Sequence, residues 1–301
     1  MARGISLHVA LNEIDPAHYD GWNGALNACE FDADAMKAIA ESRGFEPTTL
    51  LTQAATAAAV SAEIERAAQE LGPGDFFFLT YSGHGGQVPD AHQNGDEPDR
   101  SDETWLLYDR QLVDDELYAL WAKFQPGVRI FVLSDSCHSG SVARAIEADV
   151  PDVVATRETA DAQSPRYRAM PKDVMIATYR SNKATYDDIQ ASTPGTELAV
   201  KVGPSTPRTE GRPPRPEGGG VDASVLLISG CQDDQLSLDG FANGFFTETL
   251  LGVWNDGAWT GSYQLFHEAI RSQMPPTQQP NYFPVGSAND AFEQQDPLTI
   301  G

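Results

Sequence analysis

The sequence predicts an α/β fold built on a mostly parallel central β-sheet with helices on both faces. Two observations carry that expectation. Short, continuous apolar runs, the pattern of strands buried on both faces, alternate along the chain with segments of helical spacing. Turn signals separate them, as Gly72-Pro73-Gly74-Asp75 does ahead of the run Phe76 to Tyr81.

Ile5 to Leu11 is expected as the first strand, and Phe31 to Ala40 has helical periodicity. Thr49 to Thr52 reads as a short strand, and the Ala-rich run Ala57 to Leu71 as an amphipathic helix. Phe76 to Tyr81 is the strongest buried-strand signal. Glu116 to Phe124 is helical, with Asp114 and Asp115 placed to cap it and to complement its dipole. Arg129 to Leu133 is the next buried strand, and Val174 to Thr178 and Val225 to Ser229 read as two more. Phe245 to Trp254 and Tyr263 to Gln273 are expected helices.

This rhythm implies one domain over residues 1–301, in which an insert at 145–222, containing one strand, separates residues 1–144 from 223–301. Gly203 to Gly220 is dense in Pro and Gly, as a loop or linker is. The stretch from Arg144 to Arg215 also holds 11 of the chain's 20 Lys and Arg residues.

Composition excludes several classes. An apolar fraction of 41% and a charged fraction of 21% are those of a globular protein. No run is long and apolar enough to span a bilayer, and the N-terminus lacks a leader pattern, so a cytoplasmic protein is expected. A net charge of −24 argues against nucleic acid and anionic membrane as partners and favours cationic ones. Cys29, Cys137 and Cys231 are too few and scattered for a disulfide framework or a zinc site. No Walker loop or GxGxxG fingerprint supports nucleotide chemistry.

Two strand ends carry reactive groups. Phe76–Tyr81 runs into Ser82-Gly83-His84-Gly85-Gly86, and Ile130–Leu133 runs into Ser134-Asp135-Ser136-Cys137-His138-Ser139-Gly140. Ligands of open parallel sheets bind beyond the carboxyl ends of strands, so neighbouring strands would bring His84 and Cys137 to one rim. A thiol becomes a nucleophile when an imidazole takes its proton, and the same imidazole can protonate a leaving amine. Cys137 is therefore the candidate nucleophile and His84 the candidate base, with His138 a rival that its adjacency to Cys137 disfavours. Backbone N–H groups at Gly85 and Cys137 are candidate oxyanion donors. Asp135, two residues before Cys137, points the same way by strand alternation and would offer a carboxylate to a guanidinium or ammonium group, joined by Asp32 from the first helix.

The blocks Tyr81-Ser82-Gly83-His84-Gly85 and Asp135-Ser136-Cys137-His138-Ser139-Gly140 resemble the catalytic blocks of metacaspases, caspase-like cysteine peptidases, and His precedes Cys by about fifty residues as in caspases. Ile228-Ser229-Gly230-Cys231-Gln232-Asp233-Asp234-Gln235 is similar to the family's strand and loop beside the substrate cleft. The resemblance implies a caspase-like fold and a mostly monomeric endopeptidase that cuts proteins after Arg or Lys. It assigns substrate binding to Cys29, Asp32, Ser82, Asp135 and Asp233.

No cofactor is expected to be required. The resemblance also implies a calcium site at Asp102, Asp114 and Asp115, although Arg144 stands where the family has a further acidic ligand and opposes it. Asp96, Glu97 and Asp99 are possible substitutes. Self-cleavage after a basic residue between Arg144 and Arg215 is a further expectation. The competing classes are an inactive caspase-like scaffold, disfavoured because both His84 and Cys137 are present, and a legumain-like or gingipain-like peptidase of other specificity.

Overall fold

A computed structural model describes residues 2–89, 101–136, 166–193, 220–231, 235, 237–240 and 242–301. Its strands are β1 (Gly4–Ala10), β2 (Glu46–Leu51), β3 (Phe76–Ser82), β4 (Gly85–Pro89), β5 (Ser101–Leu106), β6 (Gln111–Val113), β7 (Arg129–Asp135), β8 (Ser224–Ser229) and β9 (Asn281–Gly286). Its helices are α1 (Cys29–Ser42), α2 (Ala57–Glu70), α3 (Asp114–Trp121), α4 (Lys172–Ser181), α5 (Lys183–Ser192), α6 (Phe245–Trp254), α7 (Tyr263–Gln273) and α8 (Asp290–Gln294).

The central sheet has the order β2-β1-β3-β7-β8-β9, parallel except for β9 at one edge. Every residue of β1, β3 and β7 is buried. The period of two then decides which layer each side chain enters. Ile5, Leu7, Val9, Phe77, Leu79, Tyr81, Ile130 and Val132 join the core that contains α2 and α3. Phe76, Phe78, Phe131, Leu133, Leu226 and Ile228 face the opposite core, which α1, α6 and α7 cover through residues such as Met36, Phe246 and Phe266. Pro284 sits on β9, an edge strand, where its missing N–H costs no second ladder. A second, antiparallel sheet of β4, β5 and β6 grows directly out of the His84 loop.

The run Val174–Thr178 is helix, not strand, and so is most of the described part of the insert. Its β-branched residues suggested a strand, but burial falls on Pro171, Val174 and Thr178, the spacing of one helical face, while Ile176 is exposed. Asp114 and Asp115 also differ from expectation. They lie inside the first turn of α3 rather than capping it, and Glu116 reaches back to accept from Val113 N–H at 3.0 Å. Their charge still meets the positive end of the helix dipole.

Candidate active site

β3 and β7 pair in parallel with Ser82 opposite Asp135. His84 follows Ser82, and in sequence Cys137 follows Asp135, by two residues, so the described start of each motif lies at one edge of the sheet. Cys137 itself, His138, Arg144 and Asp233 lie outside the described residues.

His84 is buried and held from several sides. Its backbone carbonyl accepts from Tyr81 Oη at 2.7 Å, and Tyr81 lies flat on Trp105 with ring centroids 4.4 Å apart. The Trp22 ring packs on the imidazole at 4.7 Å. His84 Nε2 meets Gly24 O at 2.9 Å. A carbonyl oxygen only accepts, so Nε2 carries the proton and Nδ1 carries the lone pair. That Nδ1 is buried and has no hydrogen-bond partner. Burial pulls the imidazole pKa down to about 4, while Gly24 O and Asp239 pull upward. The ring is thus a neutral base at neutral pH, oriented by a residue that the sequence reading did not single out.

Beside it lies an acidic recess. Asp32, on the first turn of α1, accepts through Oδ1 from Gly244 N–H at 2.9 Å and Asn243 Nδ2 at 3.0 Å. Its Oδ2 accepts from Ser82 Oγ at 2.7 Å. Asp135, at the end of β7, accepts from Ser237 Oγ at 2.7 Å and from Thr247 Oγ1 at 2.9 Å. These donors fix both carboxylates with oxygens to spare for a cation. Asp239, which the sequence reading missed, is the third carboxylate, braced by Asn27 N–H at 2.8 Å.

The recess is filled by the chain's own Arg168, which is 0% exposed. Its guanidinium pairs with Asp32 at 2.7 Å, Asp135 at 3.0 Å and Asp239 at 3.1 Å, and it donates to Ser82 Oγ at 2.8 Å. Burial alone would lower its pKa. Asp135, Cys29, Asp32 and Asp239 outweigh that and hold it well above the ordinary value. Burial pushes the Asp32 carboxyl up, Asp135 adding to the push, while Arg168 and Ser82 pull it back. Three buried carboxylates around one guanidinium make a site that demands a cation, since unpaired buried charge is costly. Gly244 completes the wall: a Cβ there would stand 2.5 Å from both Arg168 Nη2 and Asp135 Oδ2.

The backbone around Arg168 is seated as well. Gly85 N–H donates to Arg168 O at 3.0 Å, and Met170 N–H donates to Gly85 O at 2.9 Å. On the other side Arg168 N–H donates to Ser237 O at 3.0 Å and Asp239 N–H donates to Arg166 O at 2.9 Å. Residues 166–170 therefore run extended between the start of β4 and the segment before α6, making bridges to Gly85 and Leu238. Extended peptides dock on exposed strand edges in this manner.

Other expected residues fall differently. Cys29 is fully buried against Ala10, Leu26 and Ala33, and burial raises its thiol to about 12, so it backs the recess as a neutral group. Asp102 Oδ2 accepts from Gln190 Nε2 at 2.7 Å, and Asp114 Oδ1 accepts from Asp115 N–H. Among the described residues no three His, Cys, Asp or Glu side chains gather closely enough to hold a metal ion, so these aspartates do not by themselves fit calcium. Asp96, Glu97 and Asp99 lie outside the described residues. No described helix is long and apolar enough to cross a membrane.

Known proteins share this arrangement of sequence and fold. A family model described as the caspase domain of peptidase C14 matches residues 13–294. Metacaspase-1 of Mycosarcoma maydis is 28% identical over 257 residues, covering 79% of this chain and 60% of the relative. Metacaspase-1 of Emericella nidulans is 36% identical over 155 residues, covering 46% of this chain and 37% of the relative. The chain thus spans less than two thirds of the length of either fungal protein. The crystal structure of protein GSU0716 from Geobacter sulfurreducens superposes with a TM-score of 0.82 at 49% identity, over 99% of both chains.

Proposed function

The chain belongs to the caspase-domain family of cysteine peptidases, and from that membership we propose that it is an endopeptidase cutting after Arg or Lys, with Cys137 as nucleophile and His84 as general base. One observation carries the specificity: a guanidinium lies in the recess 2.7 Å from Asp32 and 3.0 Å from Asp135, with the carbonyl of the same residue on Gly85 N–H. An Arg or Lys preceding the cleaved bond would replace Arg168 there. A bidentate, multiply paired site favours Arg over Lys, whose point charge reaches fewer oxygens.

The chemistry follows from the tautomer. Nδ1 of His84 takes the thiol proton as Sγ attacks the substrate carbonyl, and Gly24 O supports the imidazolium through Nε2–H. Gly85 N–H stabilises the oxyanion. The imidazolium then protonates the departing amine, and water resolves the thioester. No step is routed through calcium.

Fluorogenic peptides ending in Arg, Lys, Asp and Asn, each offered with calcium and with chelator, test the reading. Release from Arg and Lys peptides is expected, abolished in Cys137→Ala. Turnover of Asp or Asn peptides in preference would move the chain to another specificity, and turnover unaffected by Cys137→Ala would remove the nucleophile assignment.

A further inference from the structure

We propose that Asp239 is a positioning residue that couples a cation in the acidic recess to the alignment of His84, so that charge in the recess governs turnover as well as binding. The proposal rests on the peptidase reading above and deepens it: the substrate that the site selects also completes the site.

The loop between β1 and α1 carries two groups that hold the base. Its Trp22 ring packs on the imidazole at 4.7 Å, and its Gly24 O meets Nε2 at 2.9 Å. A few residues later the same loop reaches the recess. Asp239 Oδ2 accepts from Asn27 N–H at 2.8 Å, while Oδ1 accepts from Ala28 N–H at 3.3 Å and from Arg168 Nη2 at 3.1 Å. The sequence explains why. Ala28 stands at the N-cap of α1 with no side chain to accept a hydrogen bond. A helix start presents unpaired N–H groups and the positive end of a dipole, so a carboxylate from elsewhere in the chain supplies what Ala28 lacks. Among the described residues, Asp239 is the one recess carboxylate that accepts from this loop. Asp32 is braced by Ser82, Asn243 and Gly244, and Asp135 by Ser237 and Thr247.

A cation decides where Asp239 points. With the Arg168 guanidinium in place, all three carboxylates are drawn to one centre and Asp239 holds the loop from there. Without a cation the three repel one another at close range. Asp239 is the one that turns out to water, because its residue is only half-buried where Asp32 and Asp135 are buried. Asn27 and Ala28 then lose their acceptor. Ile14 N–H on Asn23 O, Leu26 N–H on Asn12 O and Arg166 on Ala25 O still anchor the loop, and none of these bonds involves a recess carboxylate. The consequence is a shift of the Gly24 carbonyl, not loss of the loop. A misplacement of about 1 Å costs a reaction about 100-fold, so a smaller shift at the base is enough to be measured.

The recess also lies within electrostatic reach of the ring. Burial dominates the lowered pKa of His84 and Gly24 O opposes it; of the charged groups, Asp239 pulls upward and Arg168 downward. The two halves of one ion pair therefore oppose each other at the base, and pairing them leaves neither charge to act on it alone. Binding energy from the correct side chain is thus spent on assembling the site, the logic of induced fit.

Nuclear magnetic resonance of the full chain, isotope-labelled at its histidine ring nitrogens, tests the coupling without requiring turnover. At neutral pH the His84 ring, assigned against His84→Gln, is expected as a single tautomer with a slowly exchanging Nε2–H. Arg168→Gln removes the cation and should blur that signature, and agmatine, a small guanidinium, should restore it. Asp239→Asn keeps the size of the side chain, but its amide has one oxygen where the carboxylate serves three donors. That variant should show mixed tautomers or fast exchange even with Arg168 present, and the double variant should not recover with agmatine. Should Arg168→Gln fail to fold, the comparison of wild type with Asp239→Asn decides alone. Hydrolysis of an Arg-ending peptide is the second readout. Asp239→Asn should lower kcat about tenfold at saturating peptide, whereas a residue that only binds charge would raise KM and leave kcat unchanged. A His84 signature unmoved by Asp239→Asn, or a loss confined to KM, would overturn the coupling and leave the peptidase reading standing. A guanidinium-dependent ring signal with no hydrolysis by any form would overturn the peptidase reading and uphold the coupling.

Discussion

The 2.9 Å contact from His84 Nε2 to Gly24 O makes the reactivity of one nitrogen depend on a residue sixty positions upstream. Gly24 has φ +55°, and a Cβ there would stand 3.0 Å from His84 Cδ2 and 3.2 Å from Nε2. Gly24→Ala is therefore expected to lower kcat on an Arg peptide by about 10- to 100-fold with little change in KM, because it displaces the base and leaves the recess intact. An unchanged kcat would mean that the carbonyl does not orient the ring. The pH profile belongs to the same residue. In the proposed function His84 works as base only when neutral, and burial lowers its pKa from 6.5 to about 4. Activity should thus persist below pH 6 and fall only as pH approaches about 4. An acid limb centred near 6.5 would show that His84 is solvated in the working enzyme.

Among the elements, β3 shows how a strand delivers a motif. Phe76 to Leu79 anchors both cores, Tyr81 turns back to clamp the loop, and Ser82 points into the recess. Tyr81 Oη donates to both His84 O and Leu106 O, tying β3 to β5. Tyr81→Phe should destabilise the fold by about 1–3 kcal/mol in denaturant titrations and reduce activity further than stability alone requires. A variant of wild-type stability and activity would show that stacking on Trp105 suffices. The long apolar strands and the amphipathic helices were legible because burial on two faces, or on one stripe, leaves a local period in the chain. The strand end that carries His84, and the Asp135 carboxylate, follow from the same strand pattern, whereas Asp32 is singled out by the family's Cys29-x-x-Asp32 spacing and Cys137 lies outside the described residues. Arg168 could not be read: in sequence it is one of eleven basic residues between Arg144 and Arg215, and only the chain's path past the recess distinguishes it. Gly24 acts through its backbone carbonyl, which carries no residue-type signal, and Asp239 is one carboxylate among the chain's 44 Asp and Glu until the fold brings it to Arg168. In α4, β-branched composition outweighed a helical burial period that becomes visible only once Val174 and Thr178 are seen packed.

Across the whole molecule, buried histidines couple the fold to pH. His8 sits on β1 between Thr80 Oγ1 and Ser6 Oγ, each at 3.0 Å, and burial lowers its pKa from 6.5 to about 3. The unfolded chain binds a proton near pH 6.5 that the folded chain refuses, so this residue's contribution to stability is complete above 6.5 and declines as pH falls toward about 3. The stability advantage of wild type over His8→Gln should accordingly shrink between pH 7 and pH 4.5, measured as the difference in Tm. A constant difference would mean that His8 accepts a proton in the folded state without penalty.

The recess that joins β7, α1 and the segment before α6 concentrates three carboxylates at the end of a parallel sheet, and in the proposed function charge is what it selects. The most direct measurement compares kcat/KM for two peptides identical except for Arg or citrulline before the cleaved bond. Citrulline keeps the shape of Arg and removes the charge. A preference for Arg of roughly 100-fold or more is expected, reduced in Asp135→Asn. Equal turnover of the two peptides would contradict the account.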